Sequence, residues 1–489
     1  MAKLRRPAPP VRTAPPPPGQ SPATGPSPVP GSRGSPVEPS APPKAAPRPA
    51  ERQRPPAGAP SGSPAAVKPV APAPPEATPR PAERQPAPSG SPAAEKPRPA
   101  PAARPAPTPA PAKPAKIERL AWFFPQETPP DTVPSPIANA AAVDSAGRIF
   151  LHQHERLVAL VEENGQPKVL WEYVTGHRAP GPVVVGPQDT LRLHCADGYL
   201  HAVEAATGKQ PWPPACVGEP LGYAQPVVDQ EGNTWISAAD GGLLHVDPRG
   251  RLQKPGRYFR SRQKLNAPGI LSGGILYIGS EEGYMLAIEM GPERGTACWD
   301  QQSERGYVGA LRSAPARTAD GVLVVVGADD RLVGIAASGT ILWKTQMPGQ
   351  MLGAPVFDRF GHIYIGVSQA PRGRRPGGLL LCLDGNSHKI RWEYQAAGPV
   401  ESTPVIGQDD VIYFGDNTGV LHAVNFHGRK LWTSQLGSPV RSAGTIVGPH
   451  RLAFGLDNER LVVLECTSEG LAAEGWPKIG CTLGQSGLV

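Results

Sequence analysis

The side chains able to do chemistry fall into three sets. The first is histidine. His201 and His422 share one context, LHAV at 200–203 and 421–424, and His245 sits one place later in LLHV at 243–246. Histidine serves as metal ligand or proton carrier, but ligands must converge to about 2 Å from a single ion. Side chains repeated at one lattice position point the same way from different places, so no metal site is expected. His152, His154 and His194 form no HExxH and no triad spacing. The second set is acidic: DSAG (144–147), DQEG (229–232), TADG (318–321) and DRFG (358–361) resemble calcium loops. Each has one or two carboxylates where such a loop needs several oxygens at alternate positions. An Asp bonding its own backbone beside a turn glycine accounts for them. The third set is basic: SQAPRGRRPGG (368–378) brings Arg372, Arg374 and Arg375 together, and GRYFRSRQK (256–264) adds Tyr258, Phe259, Arg260 and Arg262. Such loops bind acidic surfaces. No catalytic group, metal or cofactor is expected from these sets.

The elements that must carry these residues repeat. Apolar runs occur as LVAL (157–160), LHAV (200–203), LLHV (243–246), MLAI (285–288), LVGI (332–335), LLCL (380–383), LHAV (421–424) and LVVL (461–464), at intervals of 43, 43, 42, 47, 48, 41 and 40. Before each run comes a β-rich strand such as ILYIG (275–279) or VIYFG (411–415), and earlier a short strand opening on small residues and proline, as in STPVIG (402–407). After it comes a strand with an aromatic: Trp171, Trp212, Tyr258, Trp299, Trp343, Trp392 or Trp432. Tight turns rich in Gly, Asp and Asn join them. Four strands per copy and eight copies of 40–48 residues predict an all-β, eight-bladed β-propeller. The eighth copy lacks its own downstream strand. IERLAWFF (117–124), with Trp122 in the aromatic position, is the preferred closing strand; 471–480, with Trp476, is the alternative.

The succession of strand, G-x-x-x-G turn, L-x-A-x run and G-x-x-x-W strand resembles the PQQ-like (quinoprotein-type) propeller repeats over residues 117–489. That family includes pyrroloquinoline-quinone dehydrogenases and the β-propeller lipoprotein of the outer-membrane barrel-assembly machinery. The resemblance implies the fold, and either an interaction scaffold or a quinone enzyme. The dehydrogenases hold their cofactor with adjacent cysteines, a tryptophan platform and a calcium site. This chain has no adjacent cysteines, and its tryptophans fall where the family docks one blade on the next. The expectation is a non-enzymatic protein-interaction propeller; the alternatives are a quinoprotein-like oxidoreductase or a small-ligand sensor using the central channel.

In a propeller the residues just before each first strand line the channel mouth, and there the chain places Tyr223, Asn266, Arg312, Glu401 and Arg441. With Arg372, Arg374 and Arg375 they are the candidate partner-binding residues. The expected partner is another protein, acidic in character, on one propeller face, and the propeller itself is expected to be a monomer.

Residues 1–116 differ in kind. They contain no aromatic residue and carry 17 Lys+Arg against 5 Asp+Glu, a net of +12; with 49 basic and 42 acidic residues overall, the remainder has 32 and 37, a net of −5. PRPAERQ recurs at 47–53 and 79–85. Such a composition cannot bury enough apolar surface to offset the entropy of ordering, which predicts a disordered, basic, Pro/Ala-rich arm with weak non-specific contact to nucleic acid or anionic membrane. The chain as written shows no signal-peptide core, lipoprotein cysteine or run of about 18 apolar residues, and widely spaced cysteines without CxxC. A cytoplasmic protein is expected; a wrongly assigned start would instead make it periplasmic.

Overall fold

A computed structural model describes residues 118–125, 137, 139–218, 225–238, 240–253, 258–301, 311, 313–327, 329–368 and 377–478. All belong to the second of two units into which the chain divides, Pro105–Val489. The expected basic arm lies outside the described residues.

Eight antiparallel sheets follow one another. In blade 7, Val405–Ile406, Ile412–Gly415, Val420–Val424 and Lys430–Gln435 pair in that order. First strands of neighbouring blades abut: a Cβ on Gly186 would touch Val228, and one on Gly444 would touch Val405. First strands therefore form the inner wall. The second and third strands are apolar on both faces because a blade stacks on each side, so IYFG (412–415) is buried throughout. Outer strands alternate, as in ILWKTQ (341–346).

The small third residue of each L-x-A-x run has a packing reason. Ala159, Ala287, Cys382 and Ala423 stand opposite Trp171, Trp299, Trp392 and Trp432, with a register shift immediately after each pair. At Gly334, opposite Trp343, a Cβ would lie 2.2 Å from the indole. Trp171, Trp212, Trp299 and Trp392 then dock on the turn before the next blade's outer strand. Trp392 lies on Gly428 and Trp299 on Gly339, at φ of +76° and +88°. Glycine avoids both the left-handed penalty and the clash at these two positions. His388 holds that turn position in blade 6 and stacks on Trp343 at 4.0 Å.

Two blades depart from the pattern. Among the described residues of blade 3, Val227–Val228, Thr234–Ser237 and Leu243–Val246 form three strands, and the bridges Leu243↔Phe259 and Val246↔Leu252 stand where a fourth would run. In blade 8, Thr445–Gly448, Arg451–Gly455 and Leu461–Glu465 are completed by Leu120–Phe124, with Trp122 opposite Val463 and a register shift beside it. Residues 471–478 go elsewhere. Trp476, 2% exposed, pairs with Phe357 on the inner strand of blade 6, and the Ile406 amide donates to the Pro477 carbonyl. Lys478 is fully buried and donates to Thr445 Oγ1 at 2.8 Å. The C-terminal segment thus lies across the inner strands of blades 6, 7 and 8 at the end where first and second strands join.

Candidate functional site

Antiparallel order fixes which connections share an end. Turns between second and third strands, and links from one blade's outer strand to the next blade's first, emerge together, opposite the C-terminal segment. Glu401 and Arg441 lie in two such links, and the structure brings them together. Arg441 Nε donates to Glu401 Oε2 at 3.2 Å, and its Nη1 donates to Asp457 Oδ2 in the blade 8 turn. Asn417 Nδ2 donates to Glu401 Oε1 at 2.7 Å. Two carboxylates surround one guanidinium, so this part of the mouth offers hydrogen-bonding groups without a net positive charge. Half-exposed pairs of this kind are worth little to stability. Asn266 stands in an equivalent link, 9% exposed. Tyr223, Arg312, Arg372, Arg374 and Arg375 lie outside the described residues.

The acidic turns close on themselves. Asp144 Oδ1 accepts from the Ala146 and Arg148 amides at 2.9 and 3.0 Å, and Asp358 Oδ1 from Phe360 and His362 at 2.9 Å each. At 318–321 the Thr318 hydroxyl takes the acceptor role toward the Val322 amide. These carboxylates are occupied by their own backbone.

His422 is more embedded than a blade-face residue. It is 4% exposed, stacks on Phe414 at 4.8 Å, faces Asp416 Oδ2 through Nε2 at 3.1 Å and meets the Tyr394 hydroxyl of blade 6 through Nδ1 at 3.1 Å. Asp416 also accepts from the amides of Thr418, Val420 and Gly398. Burial alone would raise its carboxyl, but hydrogen bonds from His422, Thr418 and the Val420 amide outweigh that and hold it at about 2. Tyr–His–Asp here is a seam between blades. The repeat explains why: a position on the third strand near its start faces the neighbouring blade's outer strand. His201 has the same inter-blade tyrosine, Tyr173, but meets Cys195 and Asp197 of its own blade. Sequence reasoning compared histidines between blades and missed this grouping within one. The available signal was a departure from the repeat: Cys195 stands where blade 7 has Asp416.

The other concave features lie at the opposite end. A cavity of about 480 Å³ between blades 5 and 6 is bounded by Asp320, Leu342, Trp343, Phe357, Asn386 and His388. A smaller one, about 260 Å³, follows the seam between blades 8 and 1 beside Glu162 and Arg451.

Quinone chemistry does not fit these residues. Trp171, Trp299 and Trp392 donate their indole N–H to Ala205, Ala337 and Phe426 carbonyls of the next blade, at 3.0, 2.8 and 3.0 Å. They are committed to blade docking and supply no platform, while Trp476 and Pro477 occupy the inner wall at one end of the channel.

Comparison with known proteins agrees with this geometry. The family model described as "Outer membrane protein assembly factor BamB" matches residues 286–365 and 361–473. BamB from Nitrosomonas eutropha is 26% identical over 246 residues, covering 46% of this chain and 54% of that protein. The match thus spans about half of the relative's length. Among solved structures, BamB from Moraxella catarrhalis superposes with a TM-score of 0.53 at 14% identity, over 68% of this chain and 98% of that one. Quinohemoprotein alcohol dehydrogenase from Comamonas testosteroni gives 0.53 at 14% identity, over 70% and 76%. The structural matches show the fold alone. Taken with the repeat, the eight sheets and the family match across blades 4 to 8, the chain is a PQQ-like β-propeller similar to the outer-membrane protein assembly factor BamB.

Proposed function

We propose that this protein is a non-enzymatic docking scaffold for outer-membrane protein assembly. The observation that carries the reading is the BamB family match over residues 286–473, the part of the chain where every described blade has four strands. The docking surface is the end that carries the second-to-third-strand turns and the links between blades. Glu401 and Arg441 are its polar mouth, and by chain order Tyr223 and Arg312 belong to the same class of link. Arg372, Arg374 and Arg375 fall in the blade 6 turn and supply positive charge for an acidic partner. Residues 1–116 act as a basic tether outside the propeller, residues 117–489. A role in outer-membrane assembly favours a periplasmic working place over a cytoplasmic one. Among the described residues, no helix is long and apolar enough to cross a membrane.

The test is capture of purified barrel-assembly machinery from the same organism by the full-length chain. Capture should occur, weaken as salt rises past the range where the Debye length falls below about 8–10 Å, and drop in the Arg372→Ser/Arg374→Ser/Arg375→Ser variant with its melting temperature unchanged. No capture by the intact chain would overturn the reading. Capture untouched by the triple substitution but lost with Glu401→Ala or Arg441→Ala would move the site to the channel mouth.

A further inference from the structure

Blades 2 and 7 carry the same histidine in the same lattice position with different third partners. In blade 7 the set is closed: Tyr394 on Nδ1 of His422, Asp416 on Nε2 at 3.1 Å. In blade 2, Tyr173 meets Nδ1 of His201 at 2.8 Å, but the Asp416 position is filled by Cys195. The nearest carboxylate, Asp197, comes from two residues further along the turn, and its Oδ2 stays 3.6 Å from Nε2, beyond hydrogen-bond reach. His201 Nε2 is therefore a buried nitrogen without a hydrogen-bond partner on a side chain only 4% exposed. Such a group costs about 1–3 kcal/mol unless something satisfies it. It points into a space where a thiol, a carboxylate oxygen and the imidazole nitrogen all lie within 4.8 Å of one another.

We propose that Cys195, Asp197 and His201 form a three-ligand site for a thiophilic divalent cation, Zn²⁺, with its fourth position open. The donor set selects the ion. Sulfur and imidazole nitrogen disfavour Ca²⁺ and Mg²⁺, which take oxygen, and suit zinc, which takes one S, one N and one O in a tetrahedron. Zn–S near 2.3 Å and Zn–N or Zn–O near 2.0–2.2 Å require the three donors to close by about an ångström from their present separation. The turn permits this. Asp197 uses Oδ1 to accept from the Tyr199 amide at 3.0 Å, which leaves Oδ2 for the ion.

The surroundings complete the site. An Nδ1–H donated to the Tyr173 oxygen leaves the Nε2 lone pair of His201 facing the thiol, the arrangement expected of a positioned metal ligand. Gln210 donates to the same phenol oxygen. Thr175 Oγ1 donates to the His177 carbonyl at 2.7 Å and meets His152 Nε2 at 2.9 Å. Binding releases the thiol proton to solvent and leaves a thiolate on the ion; no electron is transferred.

The test uses the full-length chain with Cys216, Cys298 and Cys481 changed to Ser, which removes the two exposed thiols and the last cysteine of the chain as competing ligands. Loaded with Zn²⁺ and dialysed, it should retain one zinc per chain by mass spectrometry. Its melting temperature should rise with Zn²⁺, because the ion binds the folded state. Titration with Co²⁺ should give the near-ultraviolet thiolate-to-cobalt charge-transfer band. Cys195→Ser should abolish that band and the zinc-dependent shift; Asp197→Asn, at a turn whose backbone contact Asn can reproduce, should weaken Co²⁺ affinity tenfold or more. His422→Gln, the blade 7 counterpart, should leave both signals intact. Should Cys195→Ser not fold, Asp197→Asn and His201→Gln carry the same readout. Zinc retention equal to that of these variants, or a cobalt complex without a thiolate band, would overturn the proposal.

Discussion

The seam between blades 6 and 7 and the seam between blades 8 and 1 do the same job with different means. At the first, the chain runs directly from one blade into the next. Trp392 lies against Gly428 and donates to the Phe426 carbonyl, Tyr394 meets His422, and the Gly398 amide donates to Asp416. These groups are almost wholly neutral or buried. At the second, the outer strand of blade 8 comes from more than three hundred residues before the strand it pairs with, Trp122 standing opposite Val463, and no indole covers the hairpin glycine of blade 1, Gly165. Its indole N–H donates instead to Glu162 of blade 1 at 2.9 Å, and Arg451 of blade 8 grips the same carboxylate through Nε at 2.8 Å and Nη2 at 2.9 Å. An internal seam holds by packing over a fixed backbone. The closing seam adds a charged clasp that ties blade 1 to Arg451, on a strand of blade 8 that is 289 residues away in sequence.

The largest test of this difference removes the closing strand. Deleting residues 1–124 should abolish the cooperative thermal transition or cause aggregation. Trp122 alone contributes about 2–3 kcal/mol of apolar burial, and its loss exposes the edge of Leu461–Glu465. Deleting only residues 1–110 should keep the melting temperature within a few degrees. Equal stability of chains starting at 111 and at 125 would show that the ring does not depend on this seam.

Next comes the internal seam. Asp416→Ala should cost about 3 kcal/mol by chemical denaturation, since it strands buried amides and an imidazole at once. His422→Ala should cost about 2 kcal/mol, more than a surface strand position would. The Asp416 carboxyl is depressed from 3.8 to about 2 in the folded protein. The stability it supplies is therefore fully present above pH 3.8 and is lost as pH falls through 2. A denaturation series in which wild type and Asp416→Asn lose stability in parallel over that window would remove this assignment.

Glu162→Ala should cost somewhat less, about 1–2 kcal/mol, because its clasp is part-exposed, and Glu162→Gln should recover part by still accepting from Trp122. Burial would raise the Glu162 carboxyl, but the Arg451 and Trp122 hydrogen bonds hold it below its ordinary 4.5. Its contribution, too, is present above pH 4.5 and fades below it. A Glu162→Ala cost as large as that of Asp416→Ala would show the closing seam to be as dry as the internal one. The smallest effect belongs to Trp392→Phe, about 1 kcal/mol, from losing one N–H donation while most of the ring contact stays.

Much of this fold is legible in the amino-acid order. The LHAV-type runs, the turns and the following tryptophans give the eight blades, because strand length, alternation and turn residues are local properties. Their regular spacing also shows that one histidine position recurs. The candidate site is less legible. Glu401 and Arg441 lie forty residues apart, and nothing local says that each will find the other and Asp457.

What the sequence determined alone is therefore the repeat: period, strand number, the aromatic of the outer strand, and the contrast between a core-free basic segment and a core-rich remainder. These follow from backbone propensity and apolar patterning. The tertiary structure decided what each repeated position does. Stacking blade on blade made His422 a closed link between Tyr394 and Asp416 and left His201 beside Cys195 with a free nitrogen. Ring closure made Glu162 a clasp, and chain reversal after Cys466 laid Trp476 on the inner wall. These outcomes depend on groups that are distant in sequence and meet only when eight sheets close on one axis, where a single changed neighbour decides whether a buried polar atom is satisfied.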